Sequence, residues 1–413
     1  MEHTVRDLSL APGGERKIEW AQARMPVLRA LREQHVQMEP LKGVKVGVCL
    51  HLEAKTAVLC STMQELGAEV SVTSSNPLTT QDDVAAALAS RVSHVFSWRG
   101  ETQEEYALNL GRVVDQAPDV LVDDGADLSV MATQRNVSQR VIGATEETTT
   151  GLKRFRSMKR EGVLRFPVIA VNDARSKRLF DNRFGSGQSV VDGLMRATNV
   201  IIAGKRCVVV GYGWVGMGVA ERLRGMGARV IVTEVDPFRA LEAHFDGYEV
   251  MKMDEAAPIG DIFITCTGVK DVVGRRHFSV MKDGAMLANA GHFDVEVNVR
   301  ELEEMSVSQE QARPNVTKFT LKDGRDLFVL AEGRLVNIAA ADGHPIEIMD
   351  MSFSLQLLSV LYLVRNRGNL QDDVLPVPPE VDRRVAELKL EAEGIGVDSL
   401  TPAQKEYLES WRA

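Results

Sequence analysis

Short runs of β-branched and other apolar residues alternate along this chain with longer stretches whose apolar positions recur at helical spacing. Val44-Lys-Val-Gly-Val-Cys-Leu50 predicts a strand, the segment from Ala57 to Leu66 a helix, and Gly67-Ala-Glu-Val-Ser-Val-Thr73 the next strand. The rhythm returns at Val95-Phe-Ser-Trp98, at Asp119-Val-Leu-Val-Asp123 and at Val168-Ile-Ala-Val171. Ahead of it, residues 17–37 predict one or two surface helices. Ser74 to Gln81 reads as a polar loop, with Asp82 or Asp83 as the N-cap of the next helix. A second series of strands is expected at Val208–Val210, Arg229–Glu234, Ile262–Thr267, Ala285–Asn289 and Phe328–Ala331. An apolar helix over residues 352–364 then carries the chain back toward the first series. Pro376, Pro378 and Pro379 predict a linker, and a charged amphipathic tail completes the chain. This alternation predicts an α/β protein with two doubly wound, parallel-sheet Rossmann-like domains and a short C-terminal helical tail.

The second series opens on a glycine turn. Gly211, Gly213 and Gly216 come after Val208–Val210 as G-x-G-x-x-G and lead into a helix. The first glycine permits a tight bend, the second lets the backbone approach a pyrophosphate, and the third allows close helix–strand packing. The helix N-terminus then faces the phosphates. Alone the pattern is weak, because glycine turns recur without ligands. Here a strand precedes it, a helix succeeds it, and Glu234 closes the next strand where an acid would hold ribose hydroxyls. A carboxylate at that place selects NAD over NADP; Arg239 is the one feature arguing for the phosphorylated cofactor. The first series has no such fingerprint and is expected to hold the substrate. The boundaries are 1–183 together with 346–382 for a discontinuous substrate-binding domain, 184–345 for an NAD-binding domain, and 383–413 for the tail.

Three loops at the carboxyl ends of the first strands are unusually polar: Asp123 to Asp127, Thr145 to Gly151, and Asn172 to Lys177 running on to Asn182. Ligands of open α/β sheets bind at such strand ends. Helix capping by Asp and Thr accounts for one of these loops but not for three in succession. A length of 413 residues implies two or three domains, and 44% hydrophobic with 26% charged residues describes a soluble protein. The net charge of −9 argues against a nucleic-acid or anionic-membrane partner. No signal peptide or membrane span is expected, and no metal. Cys49, Cys60, Cys207 and Cys266 stand singly in apolar segments, as buried reduced thiols of a cytoplasmic protein would.

Several segments are specific in combination. They are Asp123-Asp-Gly, Glu146-Glu-Thr-Thr-Thr-Gly151, Val171-Asn-Asp173, Lys177, Phe180-Asp-Asn182, Asp192-Gly193, Ile202-Ala-Gly204, the Gly211 turn, Ala290-Gly-His-Phe-Asp294 and Leu330-Ala-Glu-Gly-Arg-Leu-Val-Asn337. On these, the chain resembles the S-adenosylhomocysteine hydrolase family along nearly its whole length. The resemblance implies cleavage of a nucleosyl-homocysteine thioether with one NAD tightly bound per subunit, in a homotetramer. The 3′-hydroxyl is oxidised to a ketone, which acidifies the C4′ proton and permits elimination of homocysteine. Water adds, and the ketone is reduced again. An ordinary NAD-dependent dehydrogenase and an inactive NAD-binding relative are the other readings. An inactive relative would be expected to lose the acid/base residues, and here they are present.

By resemblance, Lys177 and Asp181 handle the 3′-hydroxyl, with Lys177 expected as a base of lowered pKa. His51 and Asp124 match positions that manage the C4′ and C5′ protons, and Glu147 and Asn182 match groups that hold the ribose and orient the lysine. His292 matches a gate residue. Glu53, Lys55, Gln81, His344 and Met349 are the expected substrate contacts. Thr148, Thr149, Thr150, Gly211, Gly213, Val215, Gly216, Glu234, Arg239, Thr267, Asn289 and Asn337 are the expected cofactor contacts, together with Tyr407 from a neighbouring subunit's tail. Trp214, Ser186 and Ala403 depart from the family's usual aspartate, cysteine and lysine. His51-Leu-Glu-Ala-Lys-Thr-Ala57 places Lys55 where the commoner form has a glutamate facing the 6-amino group of adenine. A lysine offers only donors. It would suit the 6-oxo group of hypoxanthine, unless it turns aside to pair with Glu53.

Overall fold

In the computed structural model, the described residues are 3–411; the first two residues of the substrate domain and the last two of the tail lie outside them. The first strands are β1 (Lys45–Cys49), β2 (Glu69–Thr73), β3 (His94–Val95), β4 (Val120–Asp123), β5 (Gly143–Glu146) and β6 (Val168–Ala170). β4, β5 and β6 are buried along their whole length, and the apolar runs of β4 and β6 are accordingly continuous rather than alternating. The expected N-cap falls one residue early. Gln81 holds that position, and Asp82 and Asp83 sit in the first turn, Asp83 paired with Lys17 at 2.8 Å. β5 is hidden in the sequence because Gly143-Ala-Thr-Glu146 carries one apolar side chain. Gly143 is needed there, since a β-carbon would come within 2.5 Å of Leu363 Cδ2.

The second sheet uses β7 (Arg206–Val210), β8 (Arg229–Thr233), β9 (Glu249–Val250), β10 (Ile262–Thr265), β11 (Ala285–Asn289), β12 (Ser306–Arg313), β13 (Val316–Leu321) and β14 (Asp326–Leu330), in the order β12-β13-β14-β11-β10-β7-β8-β9. From β14 to β9 the pairings are parallel, as expected of a dinucleotide fold. The antiparallel hairpin of β12 and β13 is not foreseen by the apolar pattern. Every residue from Val307 to Arg313 is exposed, so no period-two alternation marks β12.

After the second sheet, the helix Ile346–Arg365 returns to the first. It packs on the helices Pro26–His35, Ala54–Glu65 and Pro379–Glu393 and on β5. By length and composition it could cross a bilayer, but most of it is buried within the protein. β15 (Val374–Pro376) then pairs parallel with β6 and completes the order β15-β6-β5-β4-β1-β2-β3. The expected proline linker is therefore partly an edge strand, where Pro376 lacks no needed donor. The tail is expected to start at 383, yet Val385 and Leu388 are buried in the first domain's core, and the helix Pro379–Glu393 packs there. Residues 394–411 are exposed throughout.

Asp350 joins the returning helix to the N-terminal one. Its carboxylate accepts from the backbone N–H groups of Val27 and Leu28 at 2.9 Å, both orphan donors of a helix start. Asp350→Ala should leave both donors buried and unpaired, lowering stability by about 1–3 kcal/mol. Urea denaturation of the variant should show that loss, with Asp350→Asn keeping part of it.

Candidate active site

The carboxyl ends of both sheets face one cavity of about 400 Å³. Into it project His51, Glu53, Lys55, Asp124, Glu147, Lys177, Asp181, Asn182, His292, His344 and Met349, with Thr148 to Thr150, Gly213, Val215, Thr267 and Asn337. Trp214 and Ser186, the two departures near the cofactor loop, line it as well.

Lys177 is the buried centre of the site. Nζ donates to Asn182 Oδ1 at 2.9 Å and pairs with Asp181 Oδ1 at 3.0 Å and Glu147 Oε1 at 3.2 Å. Burial pulls its pKa down, but Asp181 and Glu147 outweigh burial and hold it above the ordinary lysine value. The expected lysine of lowered pKa is thus not found, because its neighbours are carboxylates rather than a cation. Burial opposes charge on Asp181 too, yet Lys177 and His344 keep it well below the usual carboxylate range. His344 Nδ1 lies 2.6 Å from Asp181 Oδ1, and Ser352 Oγ donates to Oδ2. Glu147 is pushed up to about 7 by burial, against the pull of Lys177. Asn182 Nδ2 donates to Asn172 Oδ1, and Asn172 Nδ2 to Thr149 Oγ1, both at 3.1 Å. A chain of amides thereby ties the lysine to the threonine loop.

Across the cavity, Asp124 is approached by His51 Nε2 at 3.3 Å and by His292 Nδ1 at 3.5 Å. Ser75 Oγ donates to Asp124, and His51 Nδ1 lies 2.8 Å from Thr79 Oγ1. The ligand-type atoms of His51, Asp124 and His292 fall within 4.8 Å of one another. Burial lowers the pKa of His51 despite Asp124, which favours the neutral imidazole. Gly125 (φ +94°) lets His292 close on this group; a β-carbon there would lie 2.6 Å from His292 Nε2.

The glycine turn fits a dinucleotide. Gly211 has φ +98°, a β-carbon on Gly216 would meet the Gly211 carbonyl oxygen at 2.0 Å, and one on Gly213 would project into open space. The three glycines thus do the separate jobs of bend, helix contact and ligand clearance. The helix Thr149–Arg160 starts at the same cavity, with Thr148 Oγ1 accepting from Gly151 N.

Five other expected contacts do not line this cavity. Gln81 lies near the surface, where its Oε1 accepts from Lys17 Nζ. Asn289 is buried behind the cavity, bonding Gly291 and Phe293 and so holding the His292 loop. Glu234 accepts from the N–H groups of Tyr212, Val235 and Asp236, which ties the second strand's end to the glycine turn. Arg239 pairs with Glu242 one turn along its own helix and does not counter Glu234. Tyr407 is exposed in the tail, away from its own chain's cavity.

Other groups escape a reading of the sequence. Ser352 and Gln356 reach Asp181 and Glu147 from the returning helix. Two polar residues four apart in an apolar helix are a usable signal. Glu146 accepts from Gly125 N, Thr148 N and Thr148 Oγ1, and Glu296 accepts from Thr267 N, Thr267 Oγ1 and Gly268 N. Burial raises Glu146 well above the usual range. Neither acid shows its loop-gathering role in sequence spacing.

A family model described as S-adenosyl-L-homocysteine hydrolase matches residues 2–139, and one described as its NAD binding domain matches residues 182–343. The chain belongs to the S-adenosyl-L-homocysteine hydrolase family. Its similarity to an adenosylhomocysteinase of Aeropyrum pernix is 57% identity, over 99% of both chains. An adenosylhomocysteinase of Aquifex aeolicus is 55% identical over 100% of this chain and 99% of its own. An S-inosyl-L-homocysteine hydrolase of Methanopyrus kandleri is 57% identical over 99% of this chain and 97% of its own. As a member of this hydrolase family, the chain is an enzyme with NAD as its cofactor.

Lys177→Ala should abolish the first oxidation. Mixed with nucleoside, the variant holoenzyme should show no transient absorbance of reduced nicotinamide, and near-normal turnover would refute the role of Lys177.

Proposed function

We propose that this protein catalyses the reversible hydrolysis of S-adenosyl-L-homocysteine to adenosine and L-homocysteine through transient oxidation at C3′. The observation that carries this reading is the buried tripod of Asp181, Glu147 and Asn182 around Lys177, linked by hydrogen bonds to the threonine loop of the cofactor cleft. NAD, when bound, supplies the hydride acceptor at C3′ and the hydride donor that closes the cycle. Lys177 and Asp181 hold the 3′-hydroxyl, and Lys177 moves its proton. The neutral imidazole of His51 and the carboxylate of Asp124 serve the C4′ and C5′ protons. His292, set against Gly125, shuts the cavity to bulk water.

The nucleobase rests on Lys55. Its ammonium pairs with Glu53 Oε2 at 2.8 Å and donates to the Asp342 carbonyl oxygen at 3.0 Å, so two of its three donors are already engaged. That arrangement supports adenine, held by other groups of the cavity. The second reading is the inosyl thioether. It is supported by the presence of Lys55 in the cavity wall and by the likeness to the Methanopyrus protein. One assay addresses both. Holoenzyme given either thioether should release free thiol without net reduced cofactor, whereas stoichiometric reduced cofactor would indicate a dehydrogenase. A kcat/KM favouring the adenosyl compound, unchanged in Lys55→Glu, is the expected outcome. Preference for the inosyl compound, reversed in that variant, would establish the second reading.

The reading extends to a cytoplasmic homotetramer whose tails complete neighbouring NAD sites. Supporting it, Leu400, Tyr407, Leu408 and Trp411 of the tail are exposed, as are Phe238, Leu241 and Phe245 beside the Glu234 turn. Such apolar faces are ordinarily covered. Deleting residues 398–413 should weaken NAD retention on gel filtration; full retention would refute a role for Tyr407 at the cofactor.

A further inference from the structure

Lys177 Nζ donates to Asn182 Oδ1 and lies 3.0 Å from Asp181 Oδ1 and 3.2 Å from Glu147 Oε1, so its ammonium is enclosed by three acceptors. No lone pair is available to take a proton from a hydroxyl, so the lysine can act only by passing one of its own protons on. The two carboxylates beside it are not equivalent. Asp181 faces Lys177, His344 Nδ1 and the Ser352 hydroxyl, a set of donors that favours the anion. Glu147 faces Lys177 and one amide. Gln356 Nε2 donates to Glu147 Oε2 at 2.5 Å, while Gln356 Oε1 is fully buried and has no hydrogen-bond partner among the described residues. A buried unpartnered carbonyl oxygen is costly and calls for a reason.

We propose that Gln356 is a positioning residue that lets Glu147 receive the 3′-hydroxyl proton through Lys177. The inference rests on the proposed oxidation at C3′. In the step, an Nζ–H bond of Lys177 breaks and an O–H bond forms on Glu147. The hydroxyl proton replaces the one lost from Nζ, and the C3′ hydride leaves with its electron pair to the nicotinamide. Lys177 is an ammonium before and after, in keeping with the charge its neighbours impose. Glu147 ends as a carboxylic acid. The amide of Gln356 then turns about its last bond and presents Oε1 as acceptor to the new O–H. Only a group with both a donor and an acceptor end can satisfy the carboxyl in both states. The charged groups bearing on Glu147 are Lys177, Asp181 and Asp124, and the returning helix adds only the neutral Gln356. The shift of Glu147 to about 7 agrees with a carboxyl able to hold either state near neutrality.

The test tracks the carboxylic-acid C=O stretch of Glu147 by infrared spectroscopy of the NAD-loaded enzyme, the band being assigned by its loss in Glu147→Gln. In unliganded wild type the band should titrate near neutrality. In Gln356→Met, which removes a donor from the ionised form, its midpoint should rise by about one pH unit. The acid limb of kcat/KM should move up with it, because Glu147 must be ionised to receive a proton. A purely structural role would lower kcat evenly and leave the limb in place. With adenosine added to the wild type, the band should grow as reduced nicotinamide forms. An unmoved midpoint in Gln356→Met, or no growth of the band with adenosine, overturns the proposal. Should Gln356→Met not fold, the wild-type adenosine measurement decides alone. The unliganded titration needs no turnover, so loss of the thioether reaction itself would be told apart from failure of this role.

Discussion

A buried ammonium has to be matched where it stands, and much of this molecule is arranged to match Lys177. An ion of that size taken out of water unpaired is worth several kcal/mol of instability. Two carboxylates and an amide oxygen surround it, and each is held in turn. Asp181 is held by His344 and Ser352, Glu147 by Gln356, and Asn182 by Asn172. Those supports come from the strand ends of the first sheet, from the crossing between domains and from the helix that returns after the second domain. No single segment could build the site, which is why it lies where the two halves of the chain meet.

A second device recurs around the cavity. Acids near the carboxyl ends of the sheets collect the N–H groups of strand-end loops: Asp123 takes those of Asp124, Leu128 and Ser129, Glu146 those of Gly125 and Thr148, Glu234 those of Tyr212, Val235 and Asp236, and Glu296 those of Thr267 and Gly268. Loops are ordinarily the mobile parts of a fold. Here each is pinned by one carboxyl, several of them deeply buried. Burial pushes Asp123 up to about 7, so part of this charge is removed by protonation at neutral pH.

The strands with continuous apolar runs and the glycine turn are legible because burial on both faces leaves a direct mark in composition. β5 and β12 are not, since one is sheltered by a helix that needs Gly143 and the other is exposed and polar. The polar strand-end loops identify the cavity from residue types alone, and the resemblance adds which of their residues to expect there. Charge state is beyond reach: the same lysine reads as a base or as a fixed cation depending on whether a cation or two carboxylates stand beside it. Asn289 shows the other limit. A polar residue at a strand end can face the ligand or hold the loop that does, and spacing does not separate the two.

The return of the chain has a consequence in time. β6 ends at Ala170 and the helix that covers that sheet begins at Ile346, a gap of about 175 residues occupied by the second domain. During synthesis at about 5–20 residues per second, the first sheet would wait roughly 10–35 s for its covering helix. Meanwhile the second domain, continuous in sequence, has everything it needs to fold. The half of the protein made first would therefore be the half finished last, its apolar face open to chaperones until the long helix arrives.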